Sequence, residues 1–182
     1  HLLGGSLVGL VSVGVALGGA VNWVLTELYT AAFDAAVISE GTGDLRSALV
    51  GLAIGGSIWW WYWLRTYSTA TRDSVWHVYV LLAGVLAGLV TLLGGVTVVL
   101  FTILDWFATG EGSAAAHFED LPGSLTAIAL GFVVWAYHRA IFRSVAAEGR
   151  SEIERTYDYI VAAVGLLSAG AGVATILVAI VQ

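Results

Sequence analysis

Apolar runs longer than the core of a soluble helix requires dominate this chain, and they set what it can fold into. Five segments, Leu2–Leu25, Leu45–Leu64, Val75–Leu104, Leu121–Phe142 and Tyr157–Val181, each approach the length that crosses a bilayer. A hydrocarbon core about 30 Å thick takes roughly 20 apolar residues per helix. Charged residues make up only 11% of the chain, against roughly 25% in a soluble domain. Such a chain cannot dress a water-facing surface of normal size. In lipid, only helices and closed barrels satisfy every backbone group, and the alternating strands of about ten residues that a barrel needs are not found. The expected fold is therefore all-α, a polytopic membrane bundle of five helices forming one transmembrane unit over 1–182.

What the composition lacks narrows the chemistry. There is no cysteine and no methionine, which removes disulfides, thiol catalysis and cysteine metal sites. Seven arginines stand against thirteen acids, for a net charge of −6, and no basic patch gathers that would hold a nucleic acid. A chain that opens on His1 without a Met is expected to be a processed or partial form of a longer protein, with further residues at both ends. No signal peptide is recognisable.

Arginine sorts the loops. Arg65 and Arg72 follow the second apolar run, and Arg139, Arg143, Arg150 and Arg155 gather between the fourth and fifth. The segments near Thr26–Asp44 and Asp105–Asp120 hold eight acids and only Arg46. The positive-inside rule makes the arginine-bearing loops cytoplasmic, with the N-terminal end inside and Gln182 outside. Trp59, Trp61, Trp63, Trp76, Trp135, Tyr137 and Tyr157 are expected in an aromatic belt at the inner interface, where their rings suit the headgroup level. The run Trp59–Trp63 cannot line one site, because successive helical residues turn by about 100°.

An internal repeat is visible. Sliding the sequence until Trp59 meets Trp135 also matches Asp44-Leu45 with Asp120-Leu121, and Gly55 with Gly131. Gly5-x-x-x-Gly9-Leu10-Val11-Ser12 matches Gly84-x-x-x-Gly88-Leu89-Val90-Thr91, and Gly165-x-x-x-Ala169 keeps the spacing. The implied unit is a two-helix hairpin repeated in parallel, approximately over 1–75 and 76–156, with a half unit at 157–182. The pattern of Arg72–Tyr79 and Arg155–Tyr159 before small-residue helices, with Trp59 and Trp135 ending the others, resembles a prokaryotic multi-pass membrane family known only as a domain of unknown function. The resemblance implies a multi-pass membrane protein and carries no activity or site residues; the expected location is the prokaryotic plasma membrane.

Within the apolar runs the polar residues are chiefly Ser12, Asn22, Ser57, Thr91, Thr97, Thr102, Thr126 and Ser168. Hydroxyls there bond to their own backbone or to a neighbouring helix. Small residues four apart, at Gly5/Gly9, Gly51/Gly55 and Gly84/Gly88, let helix backbones approach closely and point to helix packing. His77 and His138 are the candidate cofactor ligands, for a haem with two axial imidazoles or a quinone. The competing expectation is that both reach toward headgroups and water. His117 sits among Glu111, Glu119 and Asp120, where a solvated loop is preferred over a divalent-cation contact. No catalytic residue and no metal site is expected. The functional expectation is a non-catalytic structural or accessory membrane protein, not an enzyme and without cofactor. Its partners are membrane lipid and either copies of itself or other membrane subunits. A transporter or channel for a small solute is the alternative, and a haem- or quinone-binding redox carrier the third.

Overall fold

The computed structural model describes residues 2–33, 45–67, 74–109, 112–146 and 152–181. Among them every regular element is helical and no strand occurs. In order these are α1 (Leu2–Phe33), α2 (Leu45–Trp59), a π-helical stretch π1 (Trp60–Tyr67), α3 (Ser74–Tyr79), a second stretch π2 (Val80–Leu86), α4 (Ala87–Thr109), α5 (Ala114–His117), α6 (Leu121–Ala146) and α7 (Glu152–Val181). Asp44, a residue type suited to cap a helix that starts at Leu45, lies outside the described residues. Pro122 falls in the first turn of α6, where its missing N–H costs no intrahelical bond.

Three helical stretches among the described residues are long and apolar enough to cross a membrane, Leu2–Phe33, Val75–Ala108 and Leu121–Arg143. The second is a continuous rod, because α3, π2 and α4 join without a break. In α7 the apolar part is the shorter Asp158–Ala174. The α2–π1 rod ends in a run of Trp and Tyr followed by Arg65, which dilutes its apolar character.

Glycine determines how the helices pair. A Cβ at Gly9 would lie 2.6 Å from the backbone nitrogen of Trp59, and one at Gly55 would lie 2.7 Å from Cβ of Ser12. One at Gly51 would stand 2.9 Å from Cβ of Ala16. These contacts run in opposite senses along the two helices, so α1 and α2 are antiparallel. The same ladder joins α4 to α6: a Cβ at Gly88 would lie 2.5 Å from the Trp135 backbone nitrogen, one at Gly131 would meet the Leu92 backbone, and one at Gly95 would lie 2.7 Å from the Ser124 carbonyl. Between the two pairs, α1 touches α6 through Gly18 and Leu130 and through Asn22 and Gly123. In lipid, where hydrophobicity cannot draw helices together, such close approach supplies the dispersion contact that does.

The hydroxyls of the apolar runs turn inward on their own helices. Ser57 donates to the Ala53 carbonyl at 2.7 Å, Thr91 to Ala87 at 2.8 Å, Thr97 to Leu93 at 2.8 Å and Thr126 to Pro122 at 2.8 Å. Each satisfies its polar atom four residues back and leaves the helix surface effectively apolar.

Candidate functional site: a buried ring cluster

The most completely buried side chains are not in the middle of the bundle but at its arginine-bearing end. Trp63 and Trp76 are 0% exposed, Tyr79 3%, His138 1% and Ser6 0%. Four elements meet to bury them: Ser6 comes from α1, Trp63 from π1, Trp76 and Tyr79 from α3, and His138 from α6. Val80, Val85 and Phe142 complete the core. The cluster thus lies where both π-helical stretches lie. Such departures from α geometry concentrate at functional positions.

The rings interlock, and hydrogen bonds join some of their polar atoms. Trp63 stacks on Trp76 with centroids 6.4 Å apart and planes 18° apart, and lies 4.9 Å from Tyr79. Its indole N–H donates to the Tyr137 hydroxyl at 2.9 Å. Ser6 donates to the Tyr79 hydroxyl at 3.0 Å. Tyr137 stands edge-on to His138 at 5.0 Å and to Trp59 at 5.7 Å.

Not every polar atom is matched: the indole nitrogens of Trp59 and Trp135 are buried without a hydrogen-bond partner among the described residues, and so is one nitrogen of His138. Its ring rests on Gly84, so closely that a Cβ there would overlap the imidazole. Nδ1 lies 2.8 Å from the Val134 carbonyl; a carbonyl only accepts, so Nδ1 carries the proton and Nε2 presents a lone pair. That Nε2 is buried and has no hydrogen-bond partner among the described residues. Buried polar atoms are paired in the great majority of cases, and these three nitrogens depart from that rule.

The sequence placed His77 and His138 as alternatives: cofactor ligands, or interfacial groups reaching for water. His138 does not reach water. His77 is partly buried, edge-on to Trp76 at 5.1 Å. The ring contacts run from His77 to Trp76, to Trp63, to His138. Two stacked indoles therefore stand in the path of contacts between the imidazoles, and the pair is not brought together around a common space as two axial ligands of one haem would be.

The expected belt divides in two. Trp63 and Trp76 are inside the protein, because α3 and π1 fold over one another and bury them. Trp60 and Trp61 are half exposed, with the Arg65 guanidinium 4.5 Å from the Trp61 ring. Trp59 and Trp135 are partly buried; Arg139 lies over the Trp135 ring at 4.8 Å. The side chain of Tyr157 lies outside the described residues. Of the packing glycines, Gly5 carries the ring of Tyr62, with its Cγ 2.8 Å from where a Cβ would stand, and Gly9, Gly51, Gly55, Gly84 and Gly88 make the contacts given above.

At the opposite end His117 is not a solvated loop residue. Its Nε2 donates to the Thr102 carbonyl at 2.9 Å, and its ring packs on Trp106 and Phe118, each at 5.1 Å. Asp105 comes within 3.9 Å. No group of three or more His, Cys, Asp or Glu that would hold a metal occurs among the described residues.

An apolar groove of about 360 Å³ runs between α1, the π2–α4 rod and α6. Its walls are Leu, Val, Ala and Gly, and its one hydroxyl, on Thr91, is turned back to Ala87.

Fold and site together describe an all-helical protein with three helices fit to cross a membrane and a sealed aromatic end. The chain belongs to the family described as Domain of unknown function (DUF5671), whose profile matches residues 2–117. No curated protein and no solved structure matches the chain.

Proposed function

We propose that this protein is a non-catalytic structural or accessory component of the prokaryotic plasma membrane. In this reading five helices cross the bilayer, with α2–π1 and α7 joining the three apolar rods, and the arginine-bearing loops are cytoplasmic. Two parallel hairpins form the bundle. The paired contacts support this: Tyr62 sits on Gly5 as His138 sits on Gly84, and the Trp59 backbone meets Gly9 as the Trp135 backbone meets Gly88. A duplicated hairpin reproduces its packing as well as its sequence.

The observation that carries the association reading is the state of α7. Leu166 and Leu167 are 76% and 74% exposed, and Gly165, Gly170 and Gly172 have nothing within 4 Å of a Cβ position. Among the described residues, its early turns at Ile160 and Val161 approach the bundle near Leu81 and Val85. A helix whose small residues are unused within the chain offers a face to a neighbour in the membrane, either a second copy or another subunit. The transporter alternative asks for a polar path along Ser12 and Thr91. Ser12 is packed tightly against Gly55, and the Thr91 hydroxyl is bonded to its own helix. Neither arrangement favours transport.

Copurification from membranes holding two differently tagged copies, in mild detergent, tests the association. Recovery of the second copy, or of a constant membrane partner, is expected. A monodisperse protein recovered alone overturns it.

A further inference from the structure

Two helical rods of this chain carry a neighbour on a stripe of small residues, and the two seats agree in detail. On α1 the Tyr62 ring lies against Gly5, the Trp59 backbone against Gly9, and Gly55 against Ser12. On the π2–α4 rod the His138 ring lies against Gly84, the Trp135 backbone against Gly88, and Gly131 against Leu92. The seated helices therefore share one pattern, Gly-x-x-x-Trp-x-x-ring, at Gly55–Tyr62 and Gly131–His138. Each runs antiparallel to the rod that carries it.

The stripe recurs on α7 with nothing seated on it. Aligning Gly165 with Gly84 puts Ala169 at Gly88 and Gly172 at Thr91. The three fall within about 60° of one another round the helix, at about 100° per residue. All three are exposed, and a Cβ at Gly165 or Gly172 meets nothing within 4 Å among the described residues. Small residues alone would fit many neighbours. What specifies this one is the pair of matching seats, which hold the same pattern in the same sense.

A second copy does not supply that helix. In the orientation proposed above all copies insert the same way up, so two α7 helices would meet parallel. The antiparallel helices of a second copy, α2 and α6, have their Gly55 and Gly131 faces taken by their own partners. The seat on α7 is also shallower than the other two. Ala169 carries the methyl that Gly9 and Gly88 lack, and carbon contacts of about 3.5–4.0 Å set a docked backbone farther off. Such a seat suits a neighbour that joins the bundle from another protein.

We propose that α7 docks a different membrane subunit through one transmembrane helix of the pattern small-x-x-x-Trp-x-x-ring, antiparallel to α7, with its ring on Gly165 and its Trp backbone against Ala169. This rests on the duplicated hairpins and the association proposed above, and names the partner.

The probe is a biotinylated peptide of residues 121–146, the α6 sequence, added to the full chain in mild detergent. Azidophenylalanine replaces His138 in the peptide, so that the ring expected on Gly165 also labels its seat. The chain's own α6 is tethered at an effective concentration on the order of millimolar, so peptide well below that level should find the open stripe. Retention of the chain and labelling within one turn of Gly165 are expected. Ala169→Leu should lower retention about fivefold to tenfold, as overpacking a close contact does. Ala169→Gly should raise it severalfold. Leu167→Ala, on the opposite side of α7, should leave it unchanged. Gly131→Leu in the peptide should lower retention about tenfold with the chain itself unaltered, so the result does not depend on a variant folding. Supplying the helix from outside keeps this test apart from copurification, which can succeed through another face while the peptide fails. Labelling near Gly84, which would mean that the peptide displaces α6, overturns the proposal. So does labelling spread over all helices, indifference to both Ala169 variants, or a disulfide-linked dimer of the Ala169→Cys chain in membranes, which would put a second copy on the stripe.

Discussion

His138 rests on Gly84, and the ring fits only because the glycine has no side chain. The imidazole is held from below by the helix backbone and from the sides by Trp63 and Tyr137. Gly84→Ala should therefore force the ring aside and cost about 1–3 kcal/mol, the usual penalty for overpacking. Gly14→Ala on the neighbouring helix meets nothing within 4 Å and should change stability by less than about 0.5 kcal/mol, as surface substitutions do. Loss of helical circular dichroism against SDS, in mixed micelles, separates the two. Equal midpoints would mean that the seat is not tight.

The Trp63 indole and the Tyr137 hydroxyl form a bond of 2.9 Å that ties π1 to α6. Tyr137→Phe removes the acceptor and should cost about 1 kcal/mol. Trp63→Phe should cost more, because a fully buried indole also packs on Trp76 and Tyr79. In a double-mutant cycle the two should show a coupling near the value of the bond. Additive losses would show that the bond contributes nothing net.

Much of the helical layout was legible before any coordinates. Apolar runs marked the helix starts at Leu2, Leu45 and Leu121, and the small-residue spacings marked where backbones approach. The ends were less legible: α1 continues past Leu25 to Phe33, and α7 begins at Glu152, ahead of Tyr157. Hydropathy records where lipid stops, whereas a helix continues as long as its backbone bonds are made. His138 was misplaced at the water interface for a related reason. Its neighbours Trp135 and Tyr137 are residues that favour the headgroup level, and only the fold of α3 and π1 over this end of α6 encloses it. The two π-helical stretches leave no residue signature, since their extra residue per turn is imposed by packing.

At the acidic end, Tyr29 donates to the Ala115 carbonyl at 2.8 Å and so links α1 to α5. Ser113 caps α5, accepting from the Ala116 N–H at 3.2 Å. A helix of four residues has little stability of its own, so it depends on both attachments. Tyr29→Phe should speed proteolysis within residues 112–120 several-fold, while the global unfolding midpoint moves by less than about 1 kcal/mol. A large global loss would place this contact in the cooperative core instead.

Orientation is tested by labelling, because the chain has no cysteine and each introduced thiol is alone. Glu119 lies just before α6 and Arg143 in its last turn, and both are exposed, which makes Glu119→Cys and Arg143→Cys structurally mild. Arginine is retained on the cytoplasmic side during insertion while acids contribute little, so the two ends of α6 should differ in access. A membrane-impermeant maleimide added to intact cells should label position 119, and should label position 143 only after permeabilisation. The reverse pattern would invert the bundle and put the ring cluster at the outer face. Labelling of both positions from outside would mean that α6 does not cross the membrane, and the reading of its neighbours α1 and α4 as spanning rods would fall with it.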